Sequence, residues 1–241
     1  MSYKIKVKEL VNNPAIFDKL NIYVQLIEEK NQVMNLTGFS GDTLWEQGIY
    51  ESLILMQNAI NHTNLKQGKI LDIGAGAGFP SLPFIIWTNN NFQFTIYEPI
   101  AKRVNFLNLV KQELNLENLE IVQIRSEQSP KKEHFDLVTA RAVSRLSNLI
   151  QAAHHLAKIG GYFCFIKGPN VENEVNDALE YLQEFHLKDQ IKIMEIKQDK
   201  LNKQNFLVFI DKNIKTPTNY PKKWSQIINK QNLHKKIKNN L

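Results

Sequence analysis

The sequence predicts an α/β fold with a mostly parallel sheet, closed by an antiparallel hairpin and preceded by a helical cap. Three observations support this prediction. Strand-length apolar segments alternate with helix-length segments from residue 69 onward, glycines recur directly after the first strand, and two later strand candidates are separated only by a polar stretch. Strands joined by helix-length segments form parallel sheets that are covered by helices on both faces.

The alternating segments follow one another along the chain in a regular order. The predicted parallel strands are Lys69–Ile73, Phe92–Tyr97, Leu119–Ile124, Phe135–Ala140 and Tyr162–Lys167. The predicted helices between and after them are Ser81–Trp87, Ala101–Leu114, Arg145–Ala157 and Glu172–Phe185. The closing hairpin is predicted from Gln190–Ile196 and Phe206–Ile210. Strand spacing of this kind predicts one mostly parallel sheet with helices on both faces.

The turn after the first strand carries the clearest functional signal. Residues 71–80 read Leu-Asp-Ile-Gly-Ala-Gly-Ala-Gly-Phe-Pro, with glycines at 74, 76 and 78. Glycines allow a ligand to approach the backbone, and the helix that follows offers free N–H groups. The turn therefore predicts a Rossmann-like nucleotide-binding domain. Its G-x-G-x-G spacing differs from the dinucleotide pattern G-x-G-x-x-G.

Two acids flank this turn and indicate which nucleotide it binds. Asp72 precedes Gly74 by two residues, and Glu98 ends the next predicted strand. A carboxylate at Asp72 would repel a pyrophosphate and attract an ammonium group, while Glu98 lies where an acid accepts both ribose hydroxyls. S-adenosyl-L-methionine has an ammonium group and no phosphate. The pattern favours this cofactor over NAD, and an NAD-dependent oxidoreductase is the alternative.

The chain outside this domain has a different character. Pro14 begins a helical pattern that runs to about Glu29, and a second helix is predicted over Thr43–Ile60. We therefore predict a helical cap over residues 1–68, a Rossmann-like domain over 69–212 and a basic tail over 213–241.

Charge is distributed unevenly over the 241 residues, whose formal net charge is +6. Residues 211–241 contain eight lysines and a single acid, so the rest of the chain sums to about −1. A basic tail suits a polyanion such as RNA, although lysine-rich ends are also often only solvated. All four arginines lie inside the predicted nucleotide domain: Arg103, Arg125, Arg141 and Arg145. A guanidinium forks to phosphates and stacks on bases, so these residues favour an RNA partner, although some could simply pair with acids.

Other features predict a cytoplasmic enzyme. The first ten residues contain no apolar signal segment, and no apolar stretch approaches membrane-spanning length. The single cysteine, Cys164, excludes a disulfide within the chain and lies in an apolar run. No metal site and no obligate partner surface are predicted, so we expect a monomer.

With these residues established, the chain resembles the bacterial small-subunit (16S) ribosomal RNA guanine-N7 methyltransferases, also called glucose-inhibited division protein B. The resemblance extends from the helical region to about Lys223. It is carried by residues 35–37 (Asn-Leu-Thr), 72–80 (Asp-Ile-Gly-Ala-Gly-Ala-Gly-Phe-Pro), 102–107 (Lys-Arg-Val-Asn-Phe-Leu), 139–143 (Thr-Ala-Arg-Ala-Val) and 167–168 (Lys-Gly). The chain departs from the family pattern at residues 48–52, where Gly-Ile-Tyr-Glu-Ser replaces a segment that often has a histidine before Asp-Ser.

The resemblance implies a class I S-adenosyl-L-methionine-dependent methyltransferase fold and a guanine of small-subunit ribosomal RNA as target, in free RNA or in the 30S subunit. Together with the residue patterns, it predicts these cofactor-binding residues: Gly74, Gly76, Gly78, Phe79, Glu98, Ser126, Glu127 and Arg141. The predicted RNA-binding residues are Asn35, Thr37, Arg103, Arg145, Lys167, Lys222 and Lys223. For Phe79, packing on the cofactor adenine, packing on the target base and a place in the core are all open.

Guanine N7 has a lone pair and no proton to lose, so no catalytic base is predicted. Rate is expected from alignment of nucleophile, methyl carbon and sulfur, with Arg141 and Lys167 as positioning groups. A small-molecule methyltransferase that uses the same cofactor is the main alternative, and an RNA-binding module without catalysis is another. The alternatives differ in the salt dependence of RNA binding and in cofactor binding.

Overall fold

The structure is a computed structural model that describes residues 2–88, 92–197 and 204–229. Its strands are β1 (Lys69–Ile73), β2 (Gln93–Tyr97), β3 (Leu119–Val122), β4 (Phe135–Arg141), β5 (Ala157–Lys167), β6 (Ile191–Ile196) and β7 (Asn205–Lys212). They form one sheet in the order β3-β2-β1-β4-β5-β7-β6. The pairs β1–β2 and β2–β3 are parallel, whereas β7 is antiparallel to both β5 and β6. The predicted parallel sheet with a closing antiparallel hairpin is confirmed.

Helices precede and connect these strands. They are α1 (Tyr3–Val11), α2 (Pro14–Met34), α3 (Gly41–Thr43), α4 (Glu51–Thr63), α5 (Ser81–Thr88), α6 (Ala101–Glu113), α7 (Leu146–Ala153) and α8 (Val171–Glu184). A π-helical segment, Leu44–Tyr50, joins α3 to α4 without a break. Asn13 caps α2 by accepting the N–H of Ile16, as expected where Pro14 begins the helix. No helix in the described part of the chain combines the length and apolarity that a membrane crossing requires.

The main differences from the sequence-based expectation concern α1, α7 and β5. Helix α1 was not predicted, because its apolar positions are interrupted by lysines at every second residue. The helix predicted over Arg145–Ala157 is too long, since α7 ends at Ala153 and β5 begins at Ala157. The carbonyl of Leu156 accepts backbone N–H groups from the start of β4, so the chain already has sheet hydrogen bonding there. Pattern reading could not detect this long-range pairing.

The chain divides into two compact units, Met1–Ile124 with Thr139–Arg141 and Arg125–Val138 with Ala142–Leu241. In the first unit, α2 packs against α5 and α6, and α4 packs against α5. Helix α5 is apolar on nearly all sides, and its residues 81–86 are all buried. The N-terminal helices of this unit therefore share one core with strands β1 to β3.

In the second unit, α7 packs on α8, and β7 lies between β5 and β6. The buried ammonium of Lys212 donates to the carbonyl of Ala157 at 2.7 Å. Part of the predicted basic tail is also packed here, because the ring of Tyr220 lies 4.5 Å from that of Phe185 and its hydroxyl donates to Glu184. The three-part division predicted from the sequence stays a prediction, and the lysines at 230, 235, 236 and 238 lie outside the described residues.

Candidate functional site

The three glycines of the turn after β1 have different structural roles. Their φ angles are +68° at Gly74, +62° at Gly76 and +109° at Gly78. A Cβ at Gly76 would meet nothing within 4 Å, whereas one at Gly78 would lie 2.4 Å from Cδ1 of Leu82. Gly76 therefore exposes backbone to open space, where a ligand can approach it. Gly78 instead allows the turn to pack tightly on the start of α5.

Glu98 is fixed beside this turn by backbone donors. Its carboxylate accepts the N–H of Gly76 at 3.1 Å and the N–H of Ile100 at 3.0 Å, and the Arg103 guanidinium lies 3.9 Å away. The side chain is almost fully buried. The glycine turn and the carboxylate that follows β2, which were predicted to act together, are thus in direct contact. The side chain of Arg103, one-third exposed, is the edge of this cluster that faces solvent.

Asp72 lies in β1 immediately before the turn and is fully buried. Burial raises the pKa of its carboxyl to about 8; hydrogen bonds from Ser81 oppose the shift, nearby Glu98 adds to it and Arg141 opposes it. One carboxyl oxygen accepts the Ser81 hydroxyl at 2.7 Å. The other, Oδ1, is buried and has no hydrogen-bond partner among the described residues. A buried oxygen of this kind has a free position for a hydrogen bond from a ligand or from an ordered water.

Arg141 ends β4 and is paired with the N-terminal helices of the same unit. Its guanidinium donates to Oε2 of Glu51 at 2.7 Å and to the hydroxyl of Ser52 at 3.3 Å. The Glu51 side chain is completely buried, and that of Arg141 is 13% exposed. Burial lowers the pKa of Arg141, and the negative charges of Glu51 and Asp72 oppose the shift. Sequence reasoning missed Glu51 and Ser52, although both lie in the segment that departs from the family pattern.

Aromatic residues from the N-terminal helices support the turn from the other side. The buried hydroxyl of Tyr23 donates to the carbonyl of Ala77 at 2.6 Å. The rings of Tyr23 and Phe39 lie 6.1 Å and 6.2 Å from that of Phe79. A Cβ at Gly48, in the π-helical segment, would lie 2.7 Å from the Phe79 ring. Phe79 is only 8% exposed, so the core packing that the sequence left open is observed.

The Asn-Leu-Thr segment begins where α2 ends. Asn35 adopts the left-handed conformation that terminates the helix, and Leu36 is buried beneath it. Asn31 exchanges hydrogen bonds with the backbone of Thr37, donating at 2.8 Å and accepting at 3.0 Å. The segment is therefore held as a defined loop, with Asn35 exposed to solvent.

The second unit contains the remaining predicted site residues. Ser126 and Glu127 begin a short 3-10 helix, in which Ser126 is buried. The buried Lys167 ammonium lies 2.8 Å from Glu174 and donates to the carbonyl of Ser144, and burial lowers its pKa despite the Glu174 contact.

The other predicted RNA-binding cations of this unit make contacts that do not bury them. Arg145 pairs with Asp177 at 3.0 Å, and both side chains are partly exposed. The ammonium of Lys222 lies 5.0 Å from the ring centroid of Tyr220, and the backbone N–H of Lys223 donates to Gln226. These contacts leave the cations of Arg145, Lys222 and Lys223 at the surface of the unit rather than in its core.

Comparison with known proteins places this chain in a family. The family model described as "rRNA small subunit methyltransferase G", GidB, matches residues 16–207. A ribosomal RNA small subunit methyltransferase G from Mycoplasmopsis pulmonis is 40% identical over 224 residues, which cover 88% of this chain and 91% of the relative. Proteins of the same name from Mesomycoplasma hyopneumoniae strain J and Clostridium botulinum strain Eklund 17B are 44% and 34% identical. Their matches cover 67% and 89% of this chain and 80% and 90% of the relatives.

Solved structures of low sequence identity share the fold. A SAM-dependent methyltransferase from Aquifex aeolicus aligns with a TM-score of 0.50 at 19% identity, over 71% of this chain and 98% of that one. A candidate S-adenosyl-L-methionine-dependent methyltransferase from Methanococcus maripaludis aligns with a TM-score of 0.51 at 16% identity, over 72% and 90%. The predicted class I methyltransferase fold is thereby confirmed. Because the family model matches residues 16–207, which are most of this chain, the chain belongs to the rRNA small subunit methyltransferase G family.

Proposed function

We propose that this chain transfers the methyl group of S-adenosyl-L-methionine to N7 of a guanine in small-subunit ribosomal RNA. Family membership supports the reaction class and the RNA substrate. The structural observation that carries the proposal is the open backbone at Gly76, whose N–H contacts the buried carboxylate of Glu98 in the turn that follows the buried Asp72. This arrangement has room for a ligand and carries acidic groups, which suit a cationic cofactor better than a diphosphate.

The residues of the turn fit S-adenosyl-L-methionine. The space over Gly76 accepts a ligand without a side-chain clash, and the unpartnered Oδ1 of Asp72 accepts a hydrogen bond, directly or through water. We propose that the cofactor is held by Gly74, Gly76, Glu98, Ser126, Glu127 and Arg141. Gly78 and Phe79 complete the predicted set and act through the packing of the turn. When bound, the cofactor supplies an electrophilic methyl group on a sulfonium ion.

The chain's own contribution to the reaction is alignment and charge balance. Guanine N7 attacks through a lone pair, so no side chain has to accept a proton. As the bond forms, the purine ring gains positive charge, and an isolated cation near it would oppose the reaction. The positioning residues Arg141 and Lys167 are each neutralised by a carboxylate, Glu51 and Glu174. Both can therefore orient ligands without presenting uncompensated positive charge.

Protonation of Asp72 provides a measurable prediction. Because the pKa of Asp72 is raised to about 8, this carboxyl holds its proton at pH 7 in the free protein. A cationic ligand favours the carboxylate, so binding should lower that pKa and release a proton. We expect about one proton released per cofactor bound at pH 7. Titration calorimetry in buffers of different ionisation enthalpy measures this number.

Asp72→Asn is the matched variant for that measurement. It keeps the shape of the side chain and the Ser81 contact, and it cannot titrate. Its binding should release close to zero protons, with weaker affinity. Equal proton release by the variant and the original chain would exclude Asp72 as the source.

The RNA contacts that we propose come from Asn35, Thr37, Arg103, Arg145, Lys167, Lys222 and Lys223. Lys167 is the buried member of this set, and its role there is to orient the loop at Ser144. The proposal includes a monomer that acts in the cytoplasm, where ribosomal RNA is made, on RNA that is free or assembled in the 30S subunit. Light scattering on the purified chain tests the monomer.

A direct test is methyl transfer in vitro. Small-subunit RNA from cells that lack this protein is incubated with the purified chain and labelled cofactor, digested to nucleosides and analysed by mass spectrometry. We expect label in 7-methylguanosine. Methylation confined to small molecules, with RNA binding that does not respond to salt, would support the small-molecule alternative instead.

A further inference from the structure

The first unit contains a surface cavity beside the proposed cofactor site that the function described so far does not use. It has a volume of about 340 Å³ and lies between the end of α2 and the first turns of α6. Val33, Met34 and Leu109 contribute apolar surface, and Lys30, Lys102 and Asn105 contribute polar groups. No acidic residue lines it. The cavity is thus an apolar site with a basic rim.

The apolar surface of this cavity is open to solvent. Val33 lies in the last turn of α2 and is 80% exposed, the largest exposure among the described large hydrophobic residues. Exposed apolar surface adjoining a cavity costs free energy that a bound group would recover. Met34 and Leu109 extend the same surface, and both are only partly buried. These side chains leave room for a flat apolar group.

The basic rim is held in place by a backbone contact. The last turn of α2 contains no basic residue that could interact with its free carbonyl groups. Lys102 of α6 takes this place, because its ammonium donates to the carbonyl of Met34 at 3.1 Å. Lys102 is exposed, so its charge stays available to solvent while the contact fixes its position. Lys30, one helical turn before Met34, places a second cation on the rim.

Both helices lead from the cavity to residues of the proposed active site. Helix α6 begins three residues after Glu98, whose carboxylate contacts the glycine turn. Helix α2 ends at Met34, directly before Asn35, the first residue of the Asn-Leu-Thr loop. In a substrate that extends beyond the active site, the parts next to the reacting group would therefore reach this cavity.

We infer that this cavity binds an unpaired nucleotide of the ribosomal RNA substrate, next to the target guanine, an inference that rests on the proposed function. The base lies on Val33 and Met34, the amide of Asn105 contacts its edge, and Lys30 and Lys102 bind the adjoining phosphates. Proteins bind an unpaired base against apolar side chains and bind the neighbouring phosphates with cations. The cavity has more volume than one base requires, and its charge complements a polyanion.

Val33→Glu tests the inference with little risk to folding, because the residue is largely exposed. It places a carboxylate where the base would lie. Ile22→Glu is the matched control, since Ile22 lies on the same helix, is 41% exposed and is not among the cavity residues. We expect Val33→Glu to raise the KM for small-subunit RNA at least about tenfold, with unchanged cofactor affinity. Ile22→Glu should leave both unchanged.

Cross-linking supplies the second measurement. The native cysteine, Cys164, is buried, so a cysteine introduced by Val33→Cys is the accessible thiol for a photoreactive label. Cross-links to one short segment near the modified guanine support the inference. If the original chain methylates RNA while Val33→Glu keeps its KM, or if the label reacts only with a ribosomal protein of the 30S subunit, the inference is wrong and the proposed function stands. If the original chain does not methylate RNA, the proposed function is wrong, and the inference falls with it.

Discussion

Gly78→Ala is expected to destabilise the protein, whereas Gly76→Ala is expected to weaken cofactor binding in a folded protein. The Cβ of alanine at 78 would lie 2.4 Å from Cδ1 of Leu82 and 2.8 Å from the Tyr23 hydroxyl, at a φ of +109°. Overpacking and backbone strain together should cost about 3 kcal/mol. For a chain of this size, that corresponds to a fall in Tm of roughly 6–12 °C. Thermal unfolding followed by circular dichroism measures it.

Gly76→Ala is the matched variant because the two glycines lie in the same turn. Its Cβ would meet nothing within 4 Å, so only the left-handed backbone adds a cost, about 1 kcal/mol or roughly 2–4 °C. That Cβ would occupy the space proposed for the cofactor, and we expect calorimetric affinity for S-adenosyl-L-methionine to fall at least about tenfold. If this variant and the original chain bind the cofactor with equal affinity, the open space beside Gly76 is not the cofactor site, and the proposed function loses its structural support.

Glu51→Gln is expected to weaken both stability and cofactor use. Removal of this charge leaves the guanidinium of Arg141 buried without the carboxylate that lies 2.7 Å from it. Breaking a buried ion pair in this way costs about 3–5 kcal/mol. Because Arg141 is a proposed cofactor contact, we also expect a higher KM for S-adenosyl-L-methionine and a lower kcat, while affinity for RNA is retained. Urea unfolding and steady-state kinetics measure these changes.

Two control variants distinguish the effect of the uncompensated buried charge from that of losing any ion pair. Asp136→Asn removes an equally short ion pair, Lys158–Asp136 at 2.6 Å, whose side chains are 42% and 23% exposed. It should cost less than about 1 kcal/mol. The double variant Glu51→Gln with Arg141→Met removes the uncompensated charge and should recover stability without activity. A Glu51→Gln variant as stable and active as Asp136→Asn would show that Glu51 does not position Arg141.

Local sequence patterns were sufficient for the sheet and the glycine turn. Lys69–Ile73 was assigned to the same five residues that form β1, because a short apolar run ended by glycines is a local signal. The position of Glu98 at the end of the second strand was also predicted, whereas its contact with the N–H of Gly76 is known only from the structure. The start of β5 was misplaced, because it depends on pairing with β4 rather than on its own residues.

The partners of charged and aromatic side chains could not be predicted in this way. Glu51 and Arg141 are 90 residues apart in the chain, and Tyr23 and Ala77 are 54 residues apart. Neither helical periodicity nor strand alternation contains information about such pairs. The same is true of Lys167, which the sequence predicts as a positioning and RNA-binding cation and which Glu174 neutralises in the folded unit.

The amino-acid sequence alone specified an α/β sheet, a glycine turn with flanking acids and membership in an RNA-modifying family, because these depend on residues close together in the chain. Folding decided which cations are neutralised, which glycine of the turn has open space beside it and where an apolar cavity opens beside Lys102. The physical reason is that burial and charge pairing act between segments brought together only by the tertiary structure, and these interactions set pKa values and the free space at the site.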